Sequence, residues 1–304
     1  MIADSTYKVE EYEKGIKIYN VHDFDTYHIF ECGQCFRWLP CDNGGYRGIV
    51  GNKHAAVYYD AEKYELTIEG SSAEDFVNIW YNYFDLGTDY AEIKSKLSSK
   101  DKYLKASVNF GRGIRILNQE PFETLISFII SANNNIPRIR KCIAALSEKY
   151  GEPVTSENNI EGFAFPKPQI LAGLTEQEVS DCCKAGYRCK YIIEASKRYT
   201  ESPIDINMLR ALSIPDARKV LLSYMGVGPK VADCILLFTG ARRDAFPVDV
   251  WVARLMNELY LNGVSERKAI EAAAYEYFGE IAGLAQQYLF FYAREHFDEL
   301  KNTI

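Results

Sequence analysis

The sequence predicts an α+β chain in which a small antiparallel β-rich N-terminal domain packs on a larger all-α domain. Three observations lead there: short alternating apolar–polar runs confined to the part before about residue 105, helical periodicity from Pro121 onward, and two helical runs joined by a glycine hairpin at Gly226 and Gly228. In the first part, Tyr46-Arg47-Gly48-Ile49-Val50, Ala56-Val57-Tyr58-Tyr59 and Glu65-Leu66-Thr67-Ile68 are broken by Asn43-Gly44-Gly45 and Asp60-Ala61-Glu62, the pattern of meandering strands. From Pro121, the residues Phe122, Leu125, Ile126, Ile129 and Ile130 make one apolar helix face, and further helical runs follow to Phe297. The stretches 151–168 and 200–203 read as connectors, and the domains divide as 1–108 and 109–304. With 304 residues, 47% of them hydrophobic, the chain can bury a substantial core.

Composition bounds the class of function. A net charge of −7 looks wrong for a nucleic-acid binder, but the charge is uneven: residues 109–256 hold 19 Lys+Arg against 16 Asp+Glu, so the acidic surplus lies elsewhere. Eight cysteines, with no signal peptide and no apolar run long enough to span a bilayer, point to a reducing cytoplasm without disulfides. Cys32-x-x-Cys35 is at most half a zinc site, since no second pair or histidine spacing completes it, and Cys182 and Cys189 lack the further cysteines of an iron–sulfur loop. No metal and no cofactor is expected.

The run Met225-Gly226-Val227-Gly228-Pro229-Lys230-Val231 carries the chemistry, together with Phe246-Pro247-Val248-Asp249 downstream. The glycines allow a tight hairpin whose successive N–H groups, through Val231, converge on one phosphate at a helix N-terminus. Pro229 suits the first helical position, and the helix through Val231, Ile235, Leu236 and Phe238 ends near Gly240. Lys230 opens that helix, where the macrodipole opposes an ammonium and favours the neutral, nucleophilic amine. The dipole supplies only about 0.3–1 kcal/mol, whereas making a lysine amine a nucleophile near neutral pH takes on the order of 4, so burial has to contribute the rest. Asp249 stands where an N-cap belongs, before the periodic run Val250, Val252, Leu255, Met256 and Leu259. Taken singly, Lys230 reads as a solvated lysine and Asp249 as a simple cap; together with the hairpin they are far more specific.

This combination resembles the helix-hairpin-helix-Gly/Pro-Asp superfamily of DNA glycosylases, in which a lysine at this position marks members that remove the base and then nick the strand. Four further blocks resemble the 8-oxoguanine DNA glycosylases: Gly33-Gln34-Cys35-Phe36-Arg37-Trp38, Ser131-Ala132-Asn133-Asn134-Asn135-Ile136, Gly186-Tyr187-Arg188, and Ala282-Gly283-Leu284-Ala285-Gln286-Gln287-Tyr288-Leu289-Phe290. They fall in the family's order and span nearly the whole chain.

The resemblance implies roles for named residues. Lys230 and Asp249 are the catalytic pair. The Gly33 carbonyl accepts from the hydrogen on ring nitrogen 7 of 8-oxoguanine, where guanine presents a lone pair. Gln286 and Phe290, four apart on one helix, read the pairing edge and stack on the base, with Cys234 on its other face. Asn133 fills the gap left by the flipped nucleotide, Tyr187 wedges the opposite strand, and Arg138 and Arg188 engage the orphaned cytosine. Without that pattern, Gly33 reads as a strand end, Phe290 and Cys234 as core residues, Asn133 as a polar helix end, and both arginines as solvated.

The chain departs from the family in three places. Met225 stands where a proline usually begins the hairpin, Trp251 where animal members carry a histidine, and Leu284 where a tryptophan is usual. The function expected is excision of 8-oxoguanine opposite cytosine followed by strand nicking. The partner is double-stranded DNA containing the lesion; the protein is a monomer, away from membranes, in the cytoplasm and at the nucleoid in a bacterial cell. The alternatives are a glycosylase for other damaged purines and a non-catalytic helix-hairpin-helix DNA-binding protein.

Overall fold

A computed structural model describes residues 6–156, 159–261, 263 and 266–301. Six strands form the N-terminal sheet: β1 (Lys8–Tyr12), β2 (Gly15–Tyr19), β3 (Leu39–Pro40), β4 (Tyr46–Val50), β5 (Lys53–Asp60) and β6 (Glu65–Glu69). Their order is β1-β2-β6-β5-β4-β3, every neighbouring pair antiparallel. The three predicted strands are β4, β5 and β6. The unpredicted hairpin β1–β2 extends the sheet because Ile16 and Ile18 alternate with polar residues and point into the core. On that inner face Ile16, Ile18, Val57, Leu66 and Ile68 are fully buried, and Trp38 stacks on Phe30 at 4.3 Å between ring centroids. The indole N–H of Trp38 donates to the Tyr83 hydroxyl at 2.8 Å, so the large ring is buried without an orphaned donor.

The remainder is helical. Tyr90–Ser98 precedes the division expected at residue 108 and Lys102–Phe110 spans it, yet both pack into the helical core, the second of them against the C-terminal helix Ala282–Lys301. Pro121–Ser131 differs from its prediction. Phe122 and every residue from Thr124 to Ile130 are buried, polar Thr124 and Ser127 included, so it is a central helix buried on nearly all sides, with Glu123 half-buried, rather than one with a single apolar face. It packs against Arg188–Glu201 and Pro229–Phe238. Both supposed connectors also contain regular structure: strands Pro153–Ser156 and Asn159–Phe163 pair within 151–168, and Thr200 belongs to the last turn of Arg188–Glu201.

Two buried amides join the parts. Gln34, fully buried, donates to the carbonyls of Ile29 (2.9 Å) and Arg115 (2.8 Å) and accepts from the Leu117 N–H (2.9 Å). Gln287 donates to the Cys32 carbonyl at 2.5 Å, tying the turn before Gly33 to the C-terminal helix 255 residues further along. Such buried hydrogen bonds fix one geometry, since breaking either leaves buried groups unpaired.

Candidate active site and nucleic-acid interface

The hairpin connects the helices Ile214–Leu222 and Pro229–Phe238. Gly226 takes φ +88°, and a Cβ there would come within 2.7 Å of the Tyr191 Cβ, so backbone and packing both require glycine. Gly228 differs from expectation: its φ of −92° is ordinary, and a Cβ would meet nothing within 4 Å. Its missing side chain leaves open space in front of a helix that begins without a side-chain cap. Uncapped N–H groups beside an open cavity are the arrangement an anion site requires, and the Val231 side chain in this turn is 4% exposed.

Lys230 follows on this helix. Its Nζ lies 5.1 Å from the centroid of the Phe128 ring, and among the described residues no carboxylate lies within ion-pair distance of it. Asp249 is the N-cap of Val250–Leu259, its Oδ1 accepting from the Val252 N–H at 2.8 Å. Both residues line one cavity of about 1040 Å³, which also takes in Gly33, Phe290, Asn133 and Tyr187. The sheltering of Lys230 is only partial, because one side of the cavity is open and the side chain is half-buried.

The base-pocket residues meet from both halves of the chain. Gly33, at φ +85°, faces Phe290; a Cβ would stand 3.3 Å from Phe290 Cε1, so any side chain at 33 would press on the ring. Gln286 is 5% exposed, and its Oε1 is buried with no hydrogen-bond partner. An unpaired amide oxygen there costs stability unless a ligand or water supplies a donor. Cys234, four residues after Lys230 on the same helix, is 2% exposed and, like Gln286, is not among the residues lining the cavity. Burial pushes its thiol up to about 11, with Lys230 the largest opposing influence, so it is neutral at physiological pH.

The rim holds the residues expected to handle the duplex. Asn133 is exposed at φ +50°, a left-handed conformation that asparagine tolerates better than most. Tyr187 is 57% exposed, its ring set edge-on to Tyr191 at 5.7 Å. Arg138 is exposed, its Nη2 donating to the Lys184 carbonyl at 3.2 Å. Arg188 is not the solvated residue that it reads as without the family pattern. It is 5% exposed, and Nε donates to the Ala132 carbonyl (3.0 Å), Nη1 to Ala185 (3.2 Å) and Nη2 to Asn133 (2.9 Å) and Ala132. Its guanidinium therefore braces the turn that presents Asn133.

Phe128 under the Lys230 amine, and Trp251 and Arg267 on the cavity wall, were not singled out as pocket residues from the sequence. Only Trp251, two residues after Asp249, lay close enough in sequence to be found that way. Among the described residues no group of three or more His, Cys, Asp or Glu side chains is placed to hold a metal, and no helix is long and apolar enough to cross a membrane.

Residues 17–125 match the family model of the 8-oxoguanine DNA glycosylase N-terminal domain, and residues 126–280 match that of the HhH-GPD superfamily base excision DNA repair proteins. The chain is 38% identical over 232 residues to a probable N-glycosylase/DNA lyase of Methanothermobacter thermautotrophicus, covering 69% of this chain and 72% of the relative. It is 30% identical over 281 residues to the N-glycosylase/DNA lyase of Saccharomyces cerevisiae, covering 82% and 72%. At 44% identity and a TM-score of 0.89 it superposes on the Clostridium acetobutylicum 8-oxoguanine glycosylase/lyase, solved with double-stranded DNA containing cytosine opposite 8-oxoguanine; 95% of this chain and 99% of that one are covered. With the β-rich and helical parts in the same order and the hairpin, lysine and aspartate on one cavity, the chain belongs to the 8-oxoguanine DNA glycosylases of the HhH-GPD base excision repair superfamily.

Proposed function

We propose that this protein excises 8-oxoguanine from duplex DNA opposite cytosine and then nicks the strand, with Lys230 as nucleophile and Asp249 as its electrostatic partner. The observation that carries the reading is an amine with no ion-pair partner among the described residues, beside the glycine hairpin and on the same cavity as an aspartate. The Lys230 nitrogen attacks C1′ of the flipped nucleotide; the glycosidic bond breaks and its electron pair leaves with the base, which takes up a proton. Asp249 lies where it opposes the positive charge that develops on the sugar. Opening of the sugar ring gives a protonated Schiff base to Lys230, loss of a proton from C2′ follows, and the 3′ phosphate departs, leaving a nick.

Gly33, Phe290 and Gln286 select the base. Gln286 enters with an unpaired oxygen, so an N–H on the pairing edge of the purine relieves an existing penalty. Asn133 and Tyr187 hold the duplex open, and Arg138 offers its guanidinium to the orphaned cytosine. The protein works as a monomer in the compartment that holds the DNA, the cytoplasm, and at the nucleoid if the cell is bacterial.

A panel of end-labelled duplexes carrying 8-oxoguanine opposite each of the four bases, or an alkylated purine, tests this. The expected result is excision and nicking of 8-oxoguanine, fastest opposite cytosine. Excision of the alkylated purine alone contradicts it.

A further inference from the structure

A four-residue ionic cluster lies behind the hairpin. Asp233, three residues after Lys230 and fully buried, accepts from Arg218 through Nε at 2.6 Å and Nη2 at 2.9 Å, and from Arg267 Nη2 at 3.0 Å. Glu271 accepts from Arg218 Nη1 at 2.7 Å and from Arg267 Nε at 2.5 Å. The two arginines are not equivalent. Arg218 has Nε, Nη1 and Nη2 all engaged, whereas Nη1 of Arg267 has no partner among the described residues.

The cluster is neutral by count but layered in space. The Asp233 side chain is 0% exposed and that of Glu271 14%, while that of Arg267 is 31% exposed and forms part of the cavity wall beside Val231, Asp249 and Val250. Asp233 thus lies in the interior, while Arg267 lies on the cavity wall. Two carboxylates holding one edge of a guanidinium also restrict its rotamers, so less entropy is lost when the other edge binds. Burial raises the Asp233 carboxyl to about 6 against the pull of both arginines, which still leaves it ionised at neutral pH.

We propose that Arg267 is a phosphate-binding residue for the lesion strand, presented by Asp233 and Glu271 so that its free Nη1 meets a second phosphodiester along the strand gripped by the hairpin. The inference rests on the DNA-glycosylase reading and adds a contact to it. The hairpin supplies backbone N–H groups to one phosphate, and Arg267 supplies a full positive charge to another.

Salt dependence of binding tests the proposal without relying on catalysis. Binding of undamaged and 8-oxoguanine duplexes is measured for the Lys230→Gln protein, and for the same protein carrying Arg267→Gln or Arg267→Lys, over a range of salt concentrations. Arg267→Gln is expected to reduce the slope of log affinity against log salt by about 0.9, the loss of one phosphate contact, on both duplexes, with Arg267→Lys restoring it. An unchanged slope in Arg267→Gln overturns the proposal. An equal fall in both variants marks a structural loss and overturns it too. Absence of 8-oxoguanine excision by the unmodified protein would sink the underlying reading instead, and is read in a separate assay.

Discussion

The Arg188 guanidinium donates to the carbonyls of both Ala132 and Asn133, joining the start of one helix to the turn that presents Asn133 at the cavity rim. Arg188 and Asn133 lie 55 positions apart in sequence. A charged, 95% buried side chain is tolerated there because carbonyl oxygens satisfy it.

Arg188→Ala is therefore expected to cost on the order of 3 kcal/mol in urea unfolding, since buried carbonyls lose a charged donor. Arg138→Ala, at an exposed position, should change stability by less than about 0.5 kcal/mol. The two variants should also separate in repair assays. Arg188→Ala slows excision opposite every base, and Arg138→Ala mainly weakens the preference for cytosine.

The hairpin glycines predict a second contrast. Gly226→Ala forces a side chain into positive φ and against Tyr191, and should destabilise by about 1–3 kcal/mol. Gly228→Ala should leave the thermal midpoint nearly unchanged, because the added methyl meets only open space. Its effect belongs to DNA binding, with affinity expected to fall at least tenfold as the methyl obstructs a phosphate. Normal binding by a stable Gly228→Ala protein would remove the case for a phosphate there.

Gln286 predicts stability and function moving in opposite directions. Replacing it with leucine removes a buried oxygen that has no partner and should stabilise the free protein by about 1 kcal/mol. The same change should slow excision and reduce discrimination between 8-oxoguanine and guanine, as measured by single-turnover rates on paired duplexes.

His28 sets a limit on the acid side. Its Nδ1 accepts from the Gly113 N–H at 3.2 Å, and burial lowers its pKa from 6.5, with Asp25 pulling the other way. The fold favours the neutral ring, so this contribution is complete above the unfolded value and declines as pH falls from about 6.5 toward the lowered folded value. Urea midpoints compared at several pH values should show that decline, and His28→Asn should flatten it.

Much of this was legible in the sequence because it is local. The hairpin, the cap at Asp249 and the strands β4 to β6 follow from residues within a dozen positions of one another. What was not legible depends on partners far apart in the chain. Arg188 could not be read as buried without knowing that the Ala132 and Asn133 carbonyls would converge on it. Pro121–Ser131 looked amphipathic because Thr124 and Ser127 are polar. In the fold the Thr124 hydroxyl donates to the Glu120 carbonyl at 2.7 Å, which lets that face be buried.

The account rests on the Lys230 amine bonding to the sugar, and borohydride trapping reads that bond directly. When an 8-oxoguanine–cytosine duplex is incubated with the protein and borohydride, reduction of the Schiff base should give a stable protein–DNA adduct. Lys230→Gln should give none while still binding the duplex. Absence of an adduct with the unmodified protein, or an undiminished adduct with Lys230→Gln, would contradict the assignment.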